Sequence, residues 1–142
     1  MSERVISGSL EPEPSVVTIA HIIYILHGLS ILVALVGSAF VIGAFLFSLP
    51  AIVAVILNYV YRGNARGTWL ESHFRWQIRT FWFAMLWAAL AFVFLFTVGL
   101  VLVLSIIGIP LALAPFGVLC VWIIYRVIRG WARLKDRRAM EF

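Results

Sequence analysis

Residues 16–61 read VVTIAHIIYILHGLSILVALVGSAFVIGAFLFSLPAIVAVILNYVY, and residues 80–125 read TFWFAMLWAALAFVFLFTVGLVLVLSIIGIPLALAPFGVLCVWIIY. Neither run contains an Asp, Glu, Lys or Arg. A bilayer is crossed by a helix of about 20 apolar residues, so each run is long enough for two crossings and too long for one. The first run breaks best at Gly37-Ser38 and the second at the uncharged turn SIIGIP, Ser105 to Pro110. The expected fold class is all-α: an integral membrane protein with four transmembrane helices arranged as two helical hairpins. The expected spans are about 16–36, 39–61, 80–104 and 109–128.

Composition points the same way. Of the 142 residues 64% are hydrophobic and 12% charged, against about 25% charged in a soluble domain. A water-soluble fold of this length could not hide so much apolar surface. The formal charge of +5 comes from basic residues that flank the apolar runs, so anionic phospholipid headgroups are the expected partner and nucleic acid is not. Cys120 is the one cysteine, which excludes an intramolecular disulfide; it reads as a buried structural thiol.

The ends and the middle connection carry nearly all the charge. Residues 1–15 (MSERVISGSLEPEPS) hold Glu3, Glu11 and Glu13 with two prolines and read as a disordered acidic tail. A cleaved signal would need a basic start, so the whole chain is read as mature. Pro50 should kink the second helix rather than end it. In the connection RGNARG, residues 62–67, Gly63 is placed for a left-handed helix cap. Thr68 and Glu71 have capping-box spacing, which predicts that a new helix starts at Thr68 and enters the bilayer near Thr80.

The C-terminal stretch 131–142 reads as a basic amphipathic extension. Arg126, Arg129, Arg133 and Arg137 recur at steps of three and four and are the candidate anionic-lipid contacts, with Arg126 snorkelling at the interface. Val127, Trp131 and Leu134 take the opposite face, and the acidic tail is an alternative counter-surface for the arginines. The 62–79 segment carries four arginines and the C-terminal segment six basic residues, whereas the turns near 37 and 105 carry none. The positive-inside rule then puts both basic segments, and both termini, of this multi-pass protein in the cytoplasm.

The densest set of functional side chains is a candidate polar cluster: His21, Glu71, His73, Arg75, Gln77 and Arg79. Glu71 and Arg75 stand one helical turn apart, a spacing that a solvated ion pair explains. His73 and Gln77 are also one turn apart and could reach His21 on the first helix. Either a functional cluster at the inner mouth of the bundle or a hydrogen-bond network holding helix one to helix three fits; the network is preferred. His27 is about 120° around the helix from His21, too far to share a ligand. No metal is expected, since neither a His-Glu-x-x-His pattern nor a cysteine set occurs, and no cofactor or catalytic residue is expected either. The spans lack paired carboxylates, and no nucleotide fingerprint or nucleophile elbow is present. Gly28, Gly37, Gly43, Gly99, Gly108 and Gly117 read as small residues that let helices approach.

The stretch RGTWLESHFRWQIRTFW, residues 66–82, resembles a widespread family of small bacterial inner-membrane proteins, themselves similar to Tic-twenty-type import components and MamF-type magnetosome membrane proteins. The closing WIIYRVIRGW, residues 122–131, shares that resemblance. The resemblance spans about residues 16–138 and implies a four-helix membrane fold, with a His and a Gln in the charged connection that correspond to His73 and Gln77. It implies no reaction. The function expected is that of a non-enzymatic accessory or assembly subunit, acting through helix packing and a basic cytoplasmic face toward itself or a larger membrane protein. A transport or protein-translocation component is the alternative, and an enzyme of lipid headgroups the third reading.

Overall fold

The computed structural model describes residues 11–37 and 41–141; the side chains of 34–48 and of Val103 lie outside that description. The expected disordered tail therefore falls, for residues 1–10, outside the described residues, as does the turn at 38–40. The protein is all-α, with no strand among the described residues. Helix α1 spans Pro14–Gly37 and α2 Val41–Tyr61. Helix α3 spans Leu70–Phe94 and continues through a π-helical segment, Leu95–Gly99, into the short α4, Leu100–Val103. Helix α5 spans Gly108–Lys135. Three stretches, Pro14–Val33, Leu70–Leu102 and Gly108–Lys135, are long and apolar enough to cross a membrane, and Leu49–Tyr61 is a shorter apolar helix.

Local chemistry accounts for the ends. Pro14 occupies the first helical position of α1, where a missing N–H costs nothing. Pro50 lies inside α2 and Pro115 inside α5. In the 62–69 connection the left-handed glycine is Gly67, at φ 78°, and not Gly63. The reason is visible at the start of α3, where the Glu71 carboxylate accepts the Gly67 N–H at 3.0 Å, and Thr68 Oγ1 accepts the Leu70 N–H at 3.2 Å. The two side chains expected to form a capping box instead brace the turn before the helix, which begins at Leu70, two residues later than expected. At the other end of the bundle Gly108 lies so close to the Leu102 carbonyl that any Cβ would collide with it. That approach lets the chain reverse within residues 104–107.

Helix α1 is more enclosed than α3 and α5. Its buried residues Val16, Ala20, Ile23, Tyr24, His27 and Ile31 form one stripe at helical spacing, and α1 touches α2, α3 and α5. A third of the α1 span is buried, against 11% for the spans in α3 and α5. Those two helices present Trp87, Phe92, Phe96, Leu111 and Val121 outward, the surface that lipid would solvate. The core lies toward the end that carries the 62–69 connection, where Leu70, Phe74, Leu134 and Met140 are buried together.

The C-terminal stretch departs from a simple amphipathic extension. Helix α5 ends at Lys135, and Arg137 adopts the left-handed conformation at φ 52°. Arg137 therefore does not continue the helical face of Arg126, Arg129 and Arg133. Its guanidinium instead meets Glu11 at 2.9 Å, and the chain beyond turns back over the start of α3.

Candidate functional site

The polar side chains converge where the 62–69 connection, the first turns of α3, the start of α1 and the end of α5 meet. Six residues of α3, from Leu70 to Thr80, point into this junction: Leu70, His73, Phe74, Trp76, Gln77 and Thr80 are buried. His73 is its hub and is fully buried. Its Nε2 lies 2.7 Å from the Arg138 carbonyl, which can only accept, so Nε2 carries the proton and donates. Nδ1 is left to accept the Tyr24 hydroxyl at 3.2 Å. The ring stands edge-on to both Tyr24 and Trp69. With both nitrogens committed and no solvent access, His73 is a fastener rather than an exposed base.

Neighbouring fasteners follow the same pattern. Gln77 Nε2 donates to the Ala20 carbonyl of α1 at 3.2 Å, and Ser72 Oγ accepts the Met140 N–H at 2.8 Å. Trp76 Nε1 donates to the Arg126 carbonyl at 3.2 Å, while the Arg126 guanidinium stacks 3.6 Å from the centre of the same indole. Arg126 Nε then donates to Thr80 Oγ1 at 2.7 Å, and the Thr80 hydroxyl donates its own hydrogen bond to the Trp76 carbonyl at 2.7 Å. So Arg126 is held between two turns of α3. A stack of this kind on a partly desolvated guanidinium is worth about 1–2 kcal/mol.

The six cluster residues expected from sequence divide into three groups. His73 and Gln77 face inward as described. His21 joins neither; its Nδ1 accepts the Trp131 indole N–H at 3.1 Å, tying α1 to α5. Glu71, Arg75 and Arg79 face outward, with Glu71 Oε1 taking Arg75 at 3.1 Å and Arg79 lying 5.9 Å from the Phe83 ring centre. Together with Arg62, Arg66, Phe74 and Ile78 they line a surface cavity of about 290 Å³. Of the four arginines expected as lipid contacts, Arg129 bonds the Tyr125 hydroxyl at 2.8 Å and Arg133 lies 3.6 Å from Glu141.

Sequence reasoning missed Tyr24 and Gly130. A Cβ at Gly130 would press into the Tyr24 ring, so this glycine is what admits the tyrosine between α1 and α5. Gly28 and Gly117, expected at helix contacts, have nothing within 4 Å of a Cβ. The signal for Tyr24 was its place on the buried α1 stripe; for Gly130 there was none beyond a glycine inside a helix.

Further spaces lie beside this junction and along the bundle. Residues Tyr24, His27, Gln77, Thr80 and Arg126 surround a cavity of about 10 Å³, the room that one water needs. His27 Nε2 and Gln77 Oε1 have no protein partner. Deeper along the bundle a space of about 370 Å³ is bounded by His27, Ser30 and Thr80 and otherwise by apolar side chains. Between α3 and α5 an apolar groove of about 900 Å³ runs past Trp87, Phe94, Leu111 and Trp122. Among the described residues no three His, Cys, Asp or Glu side chains are grouped to hold a metal ion.

Fold and site together define a class: an all-α protein with three helices long and apolar enough to span a membrane, and with a set of polar side chains, His73, Gln77, Trp76 and Arg126 among them, that fasten its segments at one end. No family model matches the sequence, and no curated protein and no solved structure matches it.

Proposed function

We propose that this chain is a non-enzymatic, four-span subunit of a bacterial inner membrane, with both termini and the 62–79 connection in the cytoplasm. It serves as an accessory or assembly component, joined to a second copy or to a larger membrane protein through its helix faces, with its basic cytoplasmic face outside the bilayer. The observation that carries this reading is the use of both His73 nitrogens, with the side chains of Gln77, Trp76, Arg126 and His21, to hold segments of the bundle together. Chemistry would need such groups exposed to a substrate; a scaffold needs them locked.

The bonds from His73 to Arg138 and from Ser72 to Met140 tie the connection and the C-terminal stretch to one end of the bundle. That arrangement supports an even number of crossings between them, and the arginine bias favours the cytoplasmic side. The groove between α3 and α5 offers small and aromatic side chains for helix packing. Support for a translocation path is weaker, since the central space is walled almost wholly by apolar side chains. Purification from native membranes in mild detergent, followed by mass spectrometry, tests the reading. A defined homo-oligomer or a recurrent membrane partner is expected, and recovery of monomer with lipid alone would contradict it.

A further inference from the structure

Arg62 and Arg66, counted from sequence only as topology signals, converge on one place with Arg75 and Arg79 of the expected polar cluster. Arg62 closes α2, Arg66 lies in the turn, and Arg75 and Arg79 stand one turn apart on α3, all four lining the cavity of about 290 Å³. We propose that this cavity is a binding site for the phosphate-bearing headgroup of an anionic phospholipid.

Charge is the first argument. Four guanidiniums share the cavity wall with one carboxylate, leaving three net positive charges. Glu71 is already engaged on both oxygens, one with the Gly67 N–H and one with Arg75. Guanidinium forks match the oxygens of a phosphate, and several in one concavity hold it more firmly than a flat basic face. The positive end of the α3 backbone dipole lies at the same place, since α3 begins at Leu70.

Position is the second argument and selects lipid over a soluble anion. Arg62 lies 4.9 Å from the Tyr59 ring centre and Arg79 5.9 Å from that of Phe83. Trp82 Nε1 donates to the Tyr59 hydroxyl at 3.0 Å, closing an aromatic rim beside the arginines. Tyr59, Trp82 and Phe83 are all exposed, as is Val60 beside them. Aromatic side chains with polar tips favour the level of the headgroups. A lipid whose phosphate sits among the guanidiniums can therefore lay its chains over apolar side chains. Among the C-terminal arginines, Arg133 and Arg137 face Glu141 and Glu11, Arg126 is held by Thr80 and Trp76, and Arg129 stands beside Tyr125 but does not line this cavity.

This inference rests on the membrane reading above but needs neither its sidedness nor its partner. Full-length protein in nanodiscs, where both faces are accessible, distinguishes its failure from theirs. Nanodiscs of phosphatidylcholine would be titrated with phosphatidylglycerol and the lipid retained counted by native mass spectrometry. The variant carrying Arg62→Gln, Arg66→Gln and Arg79→Gln should weaken phosphatidylglycerol retention about 100-fold, each charge supplying a factor of about five. The variant carrying Arg129→Gln, Arg133→Gln and Arg137→Gln should stay within about threefold of the parent, its charges lying outside the cavity. If the first variant fails to fold, Arg66→Gln alone, at an exposed turn position, should cost about fivefold. Unchanged retention in the cavity variants, or an equal loss in the C-terminal variant, would overturn the proposal. So would binding of inorganic phosphate alone tightly enough to displace the lipid at millimolar concentration, which would make the site one for a soluble anion.

Discussion

Replacing Gly130 by alanine tests how the tightest contact in the junction works. The new Cβ would stand 2.6 Å from Tyr24 Cε1 and 2.7 Å from Cζ, distances at which something must move. Tyr24 is 2% exposed and has little room to swing, and its hydroxyl is committed to His73. Overpacking of this kind costs about 1–3 kcal/mol. Loss of the Tyr24–His73 hydrogen bond adds about 1 kcal/mol. Against this, alanine is a better helix former than glycine by about 1 kcal/mol. The expected balance is a destabilisation of about 1–3 kcal/mol, read from SDS unfolding in mixed micelles by tryptophan fluorescence. The same exchange at Gly28 or Gly117, where a Cβ meets nothing within 4 Å, should be neutral or stabilising, so the sign separates the sites. In a Tyr24→Ala background Gly130→Ala should lose its penalty, because the ring that it strikes is gone. Equal costs with and without Tyr24 would refute the reasoning.

His73→Ala removes a fully buried hub and both of its bonds, and a loss of about 3 kcal/mol is expected in the same unfolding assay; a loss below 1 kcal/mol would count against the hub. Gln77→Leu gives up one bond to a carbonyl that is part of a helix, and should cost only about 0.6 kcal/mol, the usual value for a hydrogen bond between membrane helices. Arg126→Lys keeps the charge but loses the planar stack on Trp76, and a drop of about 1–2 kcal/mol is expected. Truncation after Asp136 removes the Arg138 carbonyl and the Met140 N–H together; protease sensitivity at the start of α3 should rise, and unchanged cleavage there would show that the turned-back segment holds nothing.

The all-α class and the presence of four helices were legible because uncharged runs of such length admit few arrangements in lipid. Local geometry was less so. Thr68 and Glu71 gave the right neighbourhood for the start of α3 but not the residue, since the Glu71 carboxylate reaches back to Gly67 and draws the left-handed turn there from Gly63. The arginine face was legible only as far as α5 remains helical. The left-handed Arg137 ends it, and no spacing argument could foresee that the chain would turn back to reach Ser72 and His73. Within the polar cluster, spacing along α3 placed His73 beside Gln77, yet their partners are mainly backbone carbonyls, Ala20 and Arg138, which carry no side-chain signature. The pairing of His21 with Trp131 joins residues 110 positions apart and is equally silent in sequence.

The proposed topology requires the middle connection and the C-terminal stretch to share one aqueous side, the cytoplasm. Single cysteines at Asn64 and Ala139, both exposed, introduced into a Cys120→Ser background, would be challenged with a membrane-impermeant maleimide in intact and then in permeabilised cells. Both positions should be protected in the intact cell and labelled after permeabilisation. Labelling of either one from outside would contradict the account.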